Sequence, residues 1–390
     1  MRWMLVGLGL ALLSVGCATT PGDPGASSLV LATASRVGTG TDWAQVSAGS
    51  SSTCAIKKDH TLWCWGFNHS GQLGDGSTQT RRTPTQVGTD SNWVQVSVNS
   101  ETACGVRDEG TLWCWGNDSL SHEDHLGYPH SGPHPTPWQV GFDSNWKSVT
   151  VGQSGNRNCA LRTSGTLWCW GHNNIFDGLP PGTYPSWYSE PTEVSPGSNW
   201  QSISIATTHS CGIRASGEVW CWGINGTGQL GTGDNFPRLI STRMGSESDW
   251  SVIAAANRDS DLPEGRTCAL KTNHSLWCWG TNIFTTPSTG GSADQFHTSA
   301  VPTLPGRQFH TLASGRQSSC ATGVDGTLWC WGAADYPAGL TQIRTAGTPD
   351  AQETDWESVS VGSEHTCAIQ QTGALWCWGG QNHWGEWGVG

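Results

Sequence analysis

The sequence predicts an all-β protein: a seven-bladed β-propeller of four-stranded blades, with one disulfide inside each blade. Three observations lead there. The phrase Leu-Trp-Cys-Trp-Gly recurs at Leu62–Gly66, Leu112–Gly116, Leu167–Gly171, Leu276–Gly280, Leu328–Gly332 and Leu375–Gly379, with Val219–Gly223 as a seventh, near-identical copy. Another cysteine stands ten residues before the cysteine of every copy. Each unit opens on an aromatic, Trp43, Trp93, Trp146, Trp200, Trp250, Phe309 or Trp356, followed by period-two alternation. Units of roughly fifty residues that repeat in this way stack into one body rather than separate domains.

The ten-residue spacing describes a hairpin. Setting Cys54 opposite Cys64 pairs Ala55 with Trp63 and Ile56 with Leu62, leaving Lys58-Asp59-His60 as the loop. A three-residue hairpin loop closes through a left-handed residue, which favours Gly. Gly110, Gly165, Gly217, Gly326 and Gly373 stand there, with His60 and His274 in the other two units. The residue opposite the first Trp is always small: Ala55, Gly105, Ala160, Gly212, Ala269, Ala321 or Ala368. An indole lying across its partner strand needs that space. Alternation then puts Cys54, Ile56, Leu62 and Cys64 on one face, and Trp63 and Trp65 on the other. Both faces are apolar, so each blade needs a neighbour on both sides. The paired Trp residues of one blade are expected to pack on the disulfide face of the next.

The fifteen cysteines divide into seven pairs and one single residue. The spacing pairs Cys54 with Cys64, Cys104 with Cys114, Cys159 with Cys169, Cys211 with Cys221, Cys268 with Cys278, Cys320 with Cys330 and Cys367 with Cys377. Directly opposed strand residues lie within reach of a disulfide, and each small loop so closed contributes on the order of 3 kcal/mol by the chain-entropy argument. Zinc needs four converging ligands at close spacings such as CxxC, and none occurs. The single cysteine, Cys17, follows Met1-Arg2, the apolar run Leu5–Val15 and Gly16. That run is too short to span a bilayer and suits a signal segment. The stretch Ser14-Val15-Gly16-Cys17 resembles a bacterial lipoprotein signal. The expected organisation is a signal peptide at 1–16, a tether at 17–28 beginning at lipidated Cys17, and the propeller at 29–390. The expected location is the bacterial cell envelope, at the outer membrane or cell surface, or the secreted fraction.

Short fourth strands follow the variable segments, as at Thr83–Val87, Thr136–Val140 and Pro191–Val194. The last unit lacks one. Its counterpart lies at the other end of the chain, where Thr33–Trp43 (TASRVGTGTDW) parallels Thr83–Trp93 (TPTQVGTDSNW). A strand near Thr33–Val37 should therefore complete the blade begun by Trp356, closing the ring and removing its open edges.

The unit resembles the regulator of chromosome condensation repeat: an aromatic-headed strand, a small-apolar strand, a Gly turn, Leu-Trp-Cys-Trp-Gly and, in places, Asn-x-x-Gly-Gln-Leu-Gly. The last piece stands at Asn68–Gly74 and Asn225–Gly231, and in weaker form at Asn382–Gly388. The resemblance implies a seven-bladed propeller. The family's eukaryotic founder works on a nuclear GTPase and chromatin, and a secreted bacterial relative of the fold binds beta-lactamases with its loop face.

For function, the net charge of −12, with only 19 Lys and Arg, argues against a nucleic-acid partner. No GxSxG, HExxH, Walker loop or dinucleotide fingerprint occurs, so neither a catalytic residue nor a cofactor is expected. The loop Ser121–Pro137 carries His122, His125, His130 and His134 with Glu123 and Asp124, a weak candidate for a transition metal. Asn257–Gly265, with Asp259, Asp261 and Glu264, is a weak candidate for calcium; a solvated loop is the simpler reading of both. Twenty Trp fall at repeat positions and belong to the core. Tyr128, Trp138, Tyr184, Trp187, Tyr188, Tyr336, Trp384 and Trp387 fall in the variable segments, where propellers present binding surface. The reading is a monomeric, non-enzymatic protein-binding propeller that meets the membrane only through its lipid. The alternative is a glycan-binding, lectin-like propeller.

Overall fold

The computed structural model describes residues 34–117, 133–152, 157–172, 187–197, 199–257, 264–281, 296–316, 318–332, 340–343 and 355–389. They form seven four-stranded antiparallel sheets, the blades of a ring. In blade 1 the strands run from axis to rim as Trp43–Ala48, Ser52–Lys57, Leu62–Gly66 and Arg81–Gln86. The hairpin register is the expected one, with Ala55 opposite Trp63 and Ile56 opposite Leu62.

All seven cysteine pairs are disulfides between opposed residues, with Cα atoms 4.0 to 4.1 Å apart. Cys54 faces Cys64, Cys104 faces Cys114 and Cys159 faces Cys169 in the first three blades. Cys211 faces Cys221, Cys268 faces Cys278, Cys320 faces Cys330 and Cys367 faces Cys377 in the other four. The pairing is thus the one that the spacing predicts. Thiol titration of the protein should therefore find no free thiol other than Cys17; several would overturn the pairing.

The hairpin turns take the left-handed backbone, with φ of 79° at Gly110 and Gly217, 65° at His60 and 67° at His274. The two histidines also have a use in the following blade. Their Nδ1–H groups donate to the carbonyls of Trp93 and Phe309, each at 3.2 Å.

The ring closes with strands from both ends of the chain. Ser35–Arg36 forms the outer strand of the last blade, Ser35 opposite Cys377 and Arg36 opposite Trp376. The Val37 N–H continues the ladder to Leu375 O at 2.8 Å, and its side chain is buried in the last interblade core. Deleting residues 29–37 removes that buried valine, worth about 1.5–3 kcal/mol, and exposes a strand edge. The expected result is a sharp fall in the thermal midpoint; an unchanged midpoint would mean that closure lies elsewhere.

The core is a set of interblade seams. Between blades 1 and 2, Cys54, Ile56, Leu62 and Cys64 pack against Trp93, Val96 and Trp115. Between blades 7 and 1, Cys367, Ile369, Leu375 and Cys377 pack against Trp43, Val46 and Trp65. The indoles therefore rest on the disulfide face of the preceding blade, the reverse of the direction expected from the sequence. Strand alternation separates the two faces of a sheet but says nothing about which way round the ring they point. The small residue in the second strand also has a more specific cause. A Cβ on Gly105 would come within 2.8 Å of the Trp93 ring, and one on Gly212 within 2.8 Å of the Trp200 ring. The space belongs to the heading aromatic of the same blade.

Neighbouring inner strands are not paired in one sheet, and side chains join them instead. Ser47 Oγ accepts the Val98 N–H at 3.0 Å, Ser97 the Val151 N–H at 3.0 Å, Ser204 the Ala255 N–H at 2.8 Å and Ser360 the Ala48 N–H at 2.9 Å. The Gln95 amide bonds both the N–H and the carbonyl of Val149, each at 2.8 Å. These links satisfy main-chain groups that would otherwise be orphaned in the barrel wall.

Candidate functional site: the loop face

Strand order gives the ring two unlike faces. One carries the short hairpin turns between the second and third strands. The other carries the turns from inner to second strand and the long segments from third to outer strand. These long segments vary in length and content from blade to blade, so the second is the loop face.

Three of its segments share one construction. Asn68 Oδ1 accepts the Leu73 N–H at 2.9 Å, Asn225 Oδ1 the Leu230 N–H at 2.9 Å, and Asn382 Oδ1 the Trp387 N–H at 3.0 Å. The weak third copy of the motif is thus a full structural copy. Each segment then caps the next blade. Trp115 Nε1–H donates to Gln72 O, Trp279 Nε1–H to Gln229 O and Trp65 Nε1–H to Glu386 O, all at 2.9 Å.

Two of these caps are secured by a buried histidine. Thr53 Oγ1–H donates to Glu386 O at 2.8 Å, so Thr53 accepts from His365 Nε2–H at 2.7 Å. Thr267 Oγ1–H donates to Gln229 O at 2.8 Å and accepts from His209 Nε2–H at 2.9 Å. The threonine's own donation fixes the tautomer of each ring. Burial disfavours the imidazolium, lowering His209 to about 3, with the Arg266 charge acting in the same direction, and His365 to about 4.

On the axis, the ends of the inner strands enclose a cavity of about 160 Å³. Ser47, Ser97, Thr150 and Ser204 line it with Val98 and Val151, and among the described residues no ionisable side chain does.

The sequence-derived candidates separate. Trp138 lies in the outer strand of blade 2, opposite Cys114, and is 50% exposed. Trp384 is 40% exposed on the loop face. Trp387 is half-buried: it takes the place of Leu73 and Leu230, packs in the closing seam and donates Nε1–H to Gly379 O at 2.7 Å. Tyr188 is half-buried against the core between blades 2 and 3. Trp187 pairs with His172 in the outer strand of blade 3. Tyr128, Tyr184, Tyr336, His122, His125 and His130 lie outside the described residues, as do Asp259 and Asp261. His134 sits in an outer strand opposite Gly116. Asn257 is buried, its amide donating to Thr208 Oγ1 at 2.6 Å and to Glu264 O at 3.1 Å. Among the described residues, no group of three or more His, Cys, Asp or Glu is placed to hold a metal ion.

Sequence reasoning missed one recurrent feature of the opposite face. Three residues after the first cysteine stand Lys57, Arg107, Arg162, Arg214 and Lys271. Each cation lies between two indoles; the Arg107 guanidinium is 4.6 Å from the Trp93 ring centre and 3.8 Å from that of Trp113. Ion pairs fasten it, as in Arg107–Asp90 at 2.6 Å. Blade 6 has Gly323 at that position, and Arg307 from the preceding turn stacks on Trp329 at 3.8 Å instead. The signal was a charge at a constant offset. It fills the hairpin face with structural pairs and leaves the loop face as the variable surface.

The profile of the regulator of chromosome condensation (RCC1) repeat matches residues 59–104, and a second profile of that repeat matches 43–72, 93–120, 201–229 and 356–383. The human E3 ubiquitin-protein ligase HERC2 is 28% identical over 214 residues, which cover 53% of this chain and 4% of HERC2. The Ultraviolet-B receptor UVR8 of Arabidopsis thaliana is 24% identical over 221 residues, covering 54% of this chain and 47% of the receptor. The chain therefore spans less than half the length of these two relatives. Among solved structures, Prp20p from Saccharomyces cerevisiae, described with its binding to Gsp1p and histones, superposes with a TM-score of 0.68 at 16% identity, over 88% of this chain and 84% of that one. Human WBSCR16 superposes with a TM-score of 0.66 at 16% identity, over 87% of each chain. The blade count and these superpositions agree: the chain is a seven-bladed β-propeller, and parts of four of its blades match the regulator of chromosome condensation repeat.

Proposed function

We propose that this protein is a non-enzymatic binding ring whose loop face engages a protein partner. It is held at the bacterial cell envelope by a lipid on Cys17. The observation that carries the reading is the contrast between the two faces. Cation–indole pairs recur on the hairpin face, whereas the segments of the loop face differ in length and sequence from blade to blade, and three of them are tied by an asparagine and cap the next blade. Such preorganised segments lower the ordering cost of binding. The binding of Prp20p to Gsp1p and histones supports a protein as the partner class.

The test is capture from envelope extract by the immobilised protein, before and after protease digestion of the extract. Loss of the signal on digestion is expected, and mass spectrometry then identifies the partner. The exposed indole of Trp138 favours a glycan as second reading, since a flat aromatic face stacks on sugar rings. A signal that survives protease but falls after glycosidase or periodate would replace the first reading with that one.

A further inference from the structure

The three asparagine-tied segments differ at one position in a way their shared fold does not require. The N–H of Ser70 bonds Gln72 Oε1 at 3.0 Å, that of Thr227 bonds Gln229 Oε1 at 2.9 Å, and that of Trp384 bonds Glu386 Oε2 at 3.0 Å. The backbone makes the same bond in each. Two copies form it with a small hydroxyl residue, so the third needs no indole to fold. Trp384 nevertheless lies 40% exposed across the closing seam. Its ring meets Phe67 edge-on at 4.8 Å and lies 6.2 Å from His69, while Phe67 and His69 are 4.5 Å apart. The result is a small aromatic platform shared by the first and last blades.

The chain carries −12 with His counted neutral, yet the exposed side chains beside the platform include one cation, Arg82, and two imidazoles, His69 and His383, while the exposed acid Glu364 lies at the base of the segment against Gly380. Arg82 also braces the segment, donating Nη2–H to His383 O at 3.0 Å. The acids in the same segments are turned inward. Glu386 is 2% exposed and engaged by the Trp384 N–H; the Asp75 side chain is 3% exposed and paired with Arg81 at 2.6 Å. A partner's carboxylate would meet the Arg82 guanidinium and imidazole N–H donors here.

We propose that the Phe67–His69–Trp384 platform is the anchor of the loop face, receiving an acidic protein segment that lays one apolar or aromatic side chain on Trp384 and sets a carboxylate against Arg82. This rests on the protein-binding reading and gives it an address. An exposed Trp beside an Arg on a preorganised support is the composition of a binding hot spot, and a hydrogen bond between guanidinium and carboxylate adds direction to the contact.

The experiment is selection of dodecapeptides from a random phage-displayed library on the purified protein, with counter-selection against Trp384→Ser, the residue of the sibling segment. Surviving peptides should carry Asp or Glu beside a Leu, Phe or Trp. They should lose about tenfold or more in affinity, roughly 1.4 kcal/mol, on both Trp384→Ser and Arg82→Glu. Trp384→Ser should melt like the parent, and Arg82→Glu, which also loses the bond to His383 O, no more than slightly lower. Basic or uncharged survivors, or none that discriminate, would overturn the proposal. So would a Trp384→Ser variant that melts markedly lower yet binds unchanged, which would make the indole a staple of the seam. Peptides that bind regardless of Trp384 would also refute the platform while leaving protein binding elsewhere on the ring intact.

Discussion

Trp200→Ala is expected to destabilise the ring by about 3–5 kcal/mol, the range for removing a buried aromatic from a packed core. Trp200 is 1% exposed and lies over Gly212, with its ring centre 5.7 Å from that of Trp222 and 5.3 Å from the Arg214 guanidinium. Glycine at 212 leaves no side chain to collapse into the gap, so the cavity persists and its cost adds to the lost burial. Trp220→Ala, at the half-buried indole that caps the same guanidinium at 3.6 Å, should cost distinctly less. Chemical denaturation with the disulfides intact measures both. Equal losses would show that the heading indole has no special place in the seam.

The second large effect is on pH. His209 and His365 are neutral in the fold, with pKa values lowered to about 3 and about 4, whereas an unfolded histidine titrates near 6.5. Below roughly pH 6.5 the unfolded chain takes up protons that the folded chain refuses, so stability falls with falling pH. The loss should continue down to about pH 4 for His365 and about pH 3 for His209. Each group contributes a slope of about 1.4 kcal/mol per pH unit, so the pair is worth on the order of 5 kcal/mol between pH 6.5 and 4.5. Above pH 6.5 neither group should change the stability. The carboxylates of Asp59, held low by the Thr61 hydroxyl, and Asp234, held low by Arg238, add a loss of the same sign at the acid end. Replacing both histidines by Gln keeps an N–H for the threonine and removes the titration. Stability profiles of parent and double variant should converge as pH falls from 6.5 to 4.5; parallel profiles would refute the assignment.

Much of the scaffold was legible because it is repeated. Seven cysteine pairs at one spacing defined a register, and glycine at a constant place defined the turn. The unmatched Thr33–Val37 told where the ring closes. The packing direction was not legible, because it depends on how twisted sheets assemble and not on any one hairpin. The loop face was read only partly. Trp387 stood out as an unplaced aromatic, but it sits where two sibling segments have leucine, and the seam uses it in the same way. His209 and His365 share an offset two residues before the first cysteine, yet Arg157 and Arg266 stand there in other blades, and so do Ser and Thr. Periodicity alone could not separate these histidines from an ordinary polar position. What makes them matter is a threonine on the neighbouring blade.

The packing direction has a consequence for association. Each blade has unlike sides, an indole side and a disulfide side, and every contact joins one kind to the other. Such head-to-tail contacts have no natural end; they make a ring only if the last meets the first, and otherwise make a filament. The ring is held shut by the seam between blades 7 and 1 and by the short outer strand at Ser35–Arg36 with the buried Val37, which completes blade 7. If that seam opens, the indoles of blade 1 and the disulfide face of blade 7 become mutually complementary surfaces that can meet on different molecules. The same interface that closes the ring within one chain would then drive its polymerisation.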